Sequence, residues 1–171
     1  ASDQRVFHAD RVLVCSGYEF QTLFPDVFAQ SDLEAVKLQM LLLERQPSQR
    51  IPGSILTGLS IRRYESFREC PSYAPIKAKE ASQSLAKQWG VHLLFKQAAD
   101  GTVILGDSHE YAAAAEWESL GFGLKTEINR FMLEEAAKIF QFQDWGVRET
   151  WAGMYTQCKT ADIFNHIIED R

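Results

Sequence analysis

Apolar and polar residues exchange places along this chain in two rhythms, one of period two and one near 3.6. The period-two rhythm is clearest through Val91–Leu105, VHLLFKQAADGTVIL. Two apolar runs there flank Ala99-Asp100-Gly101, and an Asp-Gly pair tolerates the positive φ of a tight turn. Val91–Gln97 and Thr102–Leu105 are therefore expected to form a β-hairpin. In Leu33–Leu43, LEAVKLQMLLL, the residues Lys37, Gln39 and Leu41 alternate with Leu38, Met40 and Leu42, and one long strand is expected. Ser54–Tyr64 and Val147–Thr156 read as two more, with Gly58 marking a bulge or a close backbone approach. Val6-Phe7-His8 and Arg11–Cys15 read as short strands, the second apolar enough to be covered on both faces. Tyr18–Phe24 follows as a helical turn halted by Pro25.

The helical rhythm appears twice. Ala78, Ala81, Leu85 and Trp89 recur at helical spacing after Pro71 and Pro75, and Gly90 supplies a stop, so a helix from about Pro75 to Trp89 is expected. Thr126 is placed to cap a second helix, whose Ile128, Phe131, Met132, Ala136, Ile139 and Phe140 make one apolar stripe suited to core packing. Glu65–Glu69 reads as a short turn of helix, Ala112–Gly123 as a loop or short helix, and Ile163–Ile168 as a closing strand or short helix. Strands bracketed by hairpins, with few helices between them, predict an α+β fold. Its sheet is mixed and largely antiparallel, with helices on one face, and one stray strand of α/β type precedes it.

Composition narrows the function. Hydrophobic residues at 46% and charged residues at 24% belong to a globular protein, and a formal charge of -5 with no basic block argues against a nucleic-acid partner. No apolar run reaches the roughly 20 residues that span a bilayer. Cys15, Cys70 and Cys158 are scattered without a CxxC spacing, which argues against a disulfide framework and points to a reducing cytoplasm. His8, His92, His109 and His166 show no HxxxH spacing, so only the tertiary fold could assemble a metal site and none is expected.

The chemistry collects after the hairpin. Gly106-Asp107-Ser108-His109-Glu110-Tyr111 follows the return strand directly, five polar or titratable side chains behind one glycine. A rigid hairpin that delivers such a cluster to a sheet edge is a way to present a functional loop. Each of the five can donate or accept a proton or hydrogen bond, while Asp107 and Glu110 can instead serve local N–H groups.

Three landmarks then occur in a particular order: ADRVLVCSG at Ala9–Gly17, KLQ at Lys37–Gln39 and WAGMY at Trp151–Tyr155. Together they resemble flavin-dependent amine and amino-acid oxidoreductases of the D-amino acid oxidase and glycine oxidase type. The matching features are an ADxVVxxxG strand, a K-G-Q entry strand of the substrate domain and a returning W-x-G-x-R strand. Leu38 replaces the glycine of the second. IRRYESFRECPSY at Ile61–Tyr73 and GDSHEY at Gly106–Tyr111 are similar to a bacterial subgroup linked to aminophosphonate oxidation.

The resemblance implies a fragment. Residues 1–30 correspond to the end of an FAD-binding domain, 31–156 to the substrate domain and 157–171 to a return segment. No GxGxxG occurs in the chain, so tight FAD binding by these residues alone is not expected. The implied reaction is oxidative deamination of a small amine, amino acid or aminophosphonate by hydride transfer to FAD, with the electron acceptor left open. Gly17, Gln39 and Gly153 are the implied cofactor contacts, and His109 is the implied catalytic group. Substrate contacts fall to Arg63, Tyr64, Asp107 and Tyr155. Tyr155 stands where the amino-acid oxidases carry an Arg for the substrate carboxylate, and a phenol offers one hydrogen bond in place of a bidentate cation. That departure favours a different head group, such as a phosphonate met by Arg63. Two other readings remain open: a non-enzymatic α+β module that binds through the hairpin edge, and a metal-dependent hydrolase using Asp107, His109 and Glu110.

Overall fold

A computed structural model describes residues 5–61, 65–80, 84–159 and 166–167. The fold is α+β, built on a six-stranded sheet in which each described strand pairing is antiparallel. Its axis is β1 (Leu33–Leu43). A strand has two hydrogen-bonding edges, and β6 (Val147–Cys158) takes one of them along the whole of β1, from Leu33↔Cys158 to Leu43↔Val147. The other edge is shared end to end. β4 (Val103–Gly106) pairs with Met40–Leu43, and β5 (Glu110–Ala113) pairs with Glu34–Lys37. β3 (Leu94–Gln97) and β2 (Ser54–Leu56) continue outward from β4.

The expected hairpin is present. Asp100 fixes its turn by accepting from both the backbone N–H and the hydroxyl of Thr102, at 3.1 and 2.7 Å, and Gly101 takes φ +90°. Odd-numbered residues of β1 face a helical layer. Leu41 and Leu43 join Phe95, Val103 and Leu105 against Ile128, Met132 and Ala136 of α5 (Thr126–Ala137), all nine-tenths or more buried. Leu33 and Ala35 pack instead with Phe20 and Ala114, beneath a 3-10 turn over Ala114–Leu120. Each large side chain buried this way contributes about 1.5–3 kcal/mol.

Several expectations are corrected. Residues 5–15 form no strand, and Val12 and Leu13 are 81% and 83% exposed. Both edges of β1 are already taken, so the central strand offers that segment nowhere to pair. Pro25 does not halt a helix; it begins α1 (Pro25–Ala29), where its missing N–H costs nothing. The strand expected over Ser54–Tyr64 stops at Leu56 and turns into α2 (Gly58–Ile61). The helix expected from Pro75 to Trp89 is described as two pieces, α3 (Tyr73–Ala78) and α4 (Leu85–Gln88), the latter capped by the Ser84 hydroxyl on Lys87 N–H. Its stripe of small residues gives little to bury, and Leu85 stays 45% exposed. In α5 the cap position falls on Lys125, and Ile139 lies outside the buried stripe. Residues 163–165 and 168 of the expected closing element lie outside the described residues; His166 and Ile167 carry no regular structure.

Candidate functional site

The site grows out of the break between β4 and β5, which share one edge of β1. Along β4 the register with β1 is Met40↔Gly106, and along β5 it is Lys37↔Glu110. Two residues of β1, Leu38 and Gln39, therefore face three on the other side: Asp107, Ser108 and His109. This is a β-bulge, a device that re-aims side chains and recurs beside active sites. A bulge strands ladder donors, and here the buried Ser108 hydroxyl accepts the Gln39 backbone N–H at 3.1 Å.

A second irregularity meets the first. β3 and β4 are in register at Leu94↔Gly106, yet His92 and Asp107 exchange both backbone hydrogen bonds, at 2.9 and 3.0 Å. Two residues of one strand are passed for one of the other, and Leu93 is the extra. His109 N–H then donates to the Trp89 carbonyl at 3.0 Å. The His109 ring is fixed as well, with Nδ1 lying 2.8 Å from the Gly90 carbonyl. A carbonyl only accepts, so Nδ1 carries the proton and the neutral ring keeps its lone pair on Nε2. That Nε2 lies 3.7 Å from Asp107 Oδ2.

Residues directly opposite in a ladder share a face, so Tyr111, Val36 and Tyr155 form one row on the side of the sheet away from α5. The His109 ring belongs to this row. It stacks on Tyr111 and meets Tyr155 edge-on, each at 6.1 Å between centroids, and His92 lies 4.8 Å away. Tyr155 Oη donates to Gln157 Oε1 at 3.4 Å. Beside the row, His92, Tyr111, Gln157, Lys77 and Lys87 contribute to a cavity of about 370 Å³. Lys77 lies 3.2 Å from Glu80, also on its wall.

Of the residues expected at a site, the fold thus brings Asp107, His109 and Tyr155 together. Arg63 and Tyr64 lie outside the described residues. Gln39 is placed elsewhere. Its side chain is wholly buried on the helical face, where Oε1 accepts from Lys125 N–H at 2.7 Å. Its Nε2 donates to the Lys125 carbonyl and to Asn129 Oδ1, at 3.1 and 2.8 Å. It anchors the start of α5. Gly153 lies opposite Leu38, whose Cδ1 would be 3.2 Å from an added Cβ. Gly17 adopts φ +67° in a turn, and its carbonyl accepts from Thr156 Oγ1 at 2.7 Å. These three are scattered and form no phosphate cradle, so as a set they do not fit a flavin pyrophosphate.

Glu110 also leaves the cluster. It pairs with Lys37 Nζ at 3.1 Å and with Lys125. Burial pushes its carboxyl up, but hydrogen bonds and charge from Lys125 and Lys37 outweigh that and hold it below the ordinary carboxylate range. Lys37 Nζ also donates to the Leu120 carbonyl at 3.0 Å. Sequence reasoning passed over His92 and Tyr111. Simple counting from the Asp100-Gly101 turn sets His92 opposite Ser108, and only the extra residue at Leu93 brings it to Asp107.

No family model, curated protein or solved structure matches this chain.

Proposed function

We propose that this chain forms the substrate-binding side of an FAD-dependent oxidoreductase that deaminates a small amine. The observation that carries the reading is the row His109–Tyr111–Tyr155. The GDSHEY and WAGMY segments lie about 40 residues apart in sequence. They converge on one face of one strand. Flavin, held in this reading by sequence outside the described residues, supplies the hydride acceptor.

The chain's own residues bind and prepare the amine. An ammonium group must lose a proton before its neighbouring C–H can leave as hydride, and in this reading His109 Nε2 accepts it. The hydrogen bond to Gly90 holds the lone pair in place. Asp107, 3.7 Å away, stabilises the imidazolium that forms. Tyr111 and Tyr155 flank the ring with aromatic faces and phenol groups. A phosphonate suits the adjoining cavity, where Lys77 and Lys87 provide cations and Tyr111 and Gln157 polar groups on the wall. Three free cysteines fit a reducing cytoplasm, and among the described residues no helix is long and apolar enough to cross a membrane.

The test is anaerobic mixing of the flavin-loaded protein, expressed with the part of its gene that encodes the flavin-binding turn, with 2-aminoethylphosphonate, glycine and D-amino acids. Bleaching of the flavin by at least one amine is expected, with the aminophosphonate fastest. A flavin that none of these reduces contradicts the proposal.

A further inference from the structure

We infer that His92, Asp107 and His109 form a binding site for a divalent transition-metal ion of the zinc class. One potential ligand atom from each residue lies within 4.8 Å of the other two. Two imidazoles and one carboxylate are a donor set for zinc and its neighbours, whereas magnesium and calcium prefer oxygen alone.

The surroundings are those of a ligand set. His109 Nδ1 is turned to the Gly90 carbonyl at 2.8 Å, which leaves Nε2 to point at Asp107. Ligating histidines are commonly held by this kind of outer hydrogen bond, which fixes both tautomer and ring plane. His92 and Asp107 are joined by two backbone hydrogen bonds, and His109 N–H is tied to Trp89. All three residues therefore stand on paired backbone. Around a tetrahedral ion with bonds of about 2.0–2.2 Å, ligand atoms lie about 3.3 Å apart. The 3.7 Å between Asp107 and His109 is close to that, and His92 and Asp107 are half-buried rather than sealed in the core. His92 lines the adjoining cavity of about 370 Å³, which brings open space to one member of the set.

This inference does not rest on the amine reading. It adds one consequence to it: an ion and a proton need the same Nε2 lone pair, so a loaded site cannot deprotonate an amine.

The experiment uses the full chain, stripped with chelator and titrated with Zn²⁺ against a chromophoric competitor, and in parallel with Co²⁺ followed by visible absorption. One equivalent is expected, with a Co²⁺ band intense enough for a four- or five-coordinate site. His92→Ala and Asp107→Asn should each weaken binding by about tenfold or more, while His8→Ala, at an exposed position that is not part of the cluster, should change nothing. Asp107→Asn preserves shape, so it decides the matter if His92→Ala fails to fold. Absence of a stoichiometric ion, or an affinity that Asp107→Asn leaves unchanged, overturns the inference. The measurement needs no flavin, so its failure is distinguishable from failure of amine oxidation.

Discussion

Gly90 and His109 are in contact at two levels. The His109 ring is held by the Gly90 carbonyl at 2.8 Å, and a Cβ added to Gly90 would fall 2.8 Å from the Cβ of His109 and 3.0 Å from its carbonyl oxygen. The glycine that ends the Ser84–Trp89 segment is thus also the floor on which the site histidine rests. Its φ of +56° is itself costly for any other residue.

Gly90→Ala should therefore destabilise the chain by at least about 2 kcal/mol, combining left-handed backbone strain with the clash. Urea unfolding followed by circular dichroism measures this. A loss below about 0.5 kcal/mol, the effect of an ordinary surface change, would contradict this account of Gly90.

Gln39→Ala should cost about 3 kcal/mol, because the Lys125 N–H, the Lys125 carbonyl and Asn129 all lose a buried partner at once. Amide hydrogen exchange should show the start of α5 opening while its later turns, packed through Met132 and Ala136, change less. Uniform loss of protection along α5 would argue against Gln39 as a local anchor.

Glu110 gives a pH signature. Its folded carboxyl lies below the ordinary value of 4.5, chiefly because Lys125 and Lys37 outweigh the opposing effect of burial. A depressed carboxyl contributes stability that is complete above its unfolded pKa and is lost as pH falls through the folded one. The stability gap between the parent chain and Glu110→Gln should thus be widest at neutral pH and close progressively below about 4.5. Unfolding curves at several pH values test this, and a gap that stays constant to low pH would rule it out.

Ser108→Ala removes the acceptor that satisfies the Gln39 N–H in the bulge, and about 1–3 kcal/mol should be lost. Ser108→Thr keeps the hydroxyl but adds a methyl to a wholly buried position, so it should be destabilising too, through overpacking. Thermal unfolding of the two variants checks both. Full tolerance of alanine would show that the bulge does not depend on that hydroxyl.

The main elements were legible because their signals are local. The Asp100-Gly101 turn, the alternation through Leu33–Leu43 and the stripe Ile128–Met132–Ala136 each need only neighbouring residues to read. The site was half legible. A glycine followed by Asp107 and His109 at a strand end points to a polar loop, but nothing in the local pattern shows that Ser108 turns inward or that Glu110 faces Lys37. Those outcomes depend on one extra residue opposite Leu38-Gln39, and register is a property of two strands rather than one. The misreadings share a cause. Val12-Leu13-Val14 has the composition of a buried strand, yet composition does not supply a pairing partner, and the central strand has both edges occupied. Gln39 alternates correctly within its strand, but its partner, Lys125, is 86 residues away.

The role assigned to His109 is tested most directly by anaerobic flavin reduction in the flavin-loaded protein, comparing the parent with His109→Asn. The asparagine amide can still donate to the Gly90 carbonyl and hold the bulge, but it offers no basic Nε2. With 2-aminoethylphosphonate the rate of reduction should fall by about a hundredfold or more, and the deficit should shrink as pH rises and the free amine forms without help. An unchanged rate, or a deficit independent of pH, would contradict His109 as the proton acceptor.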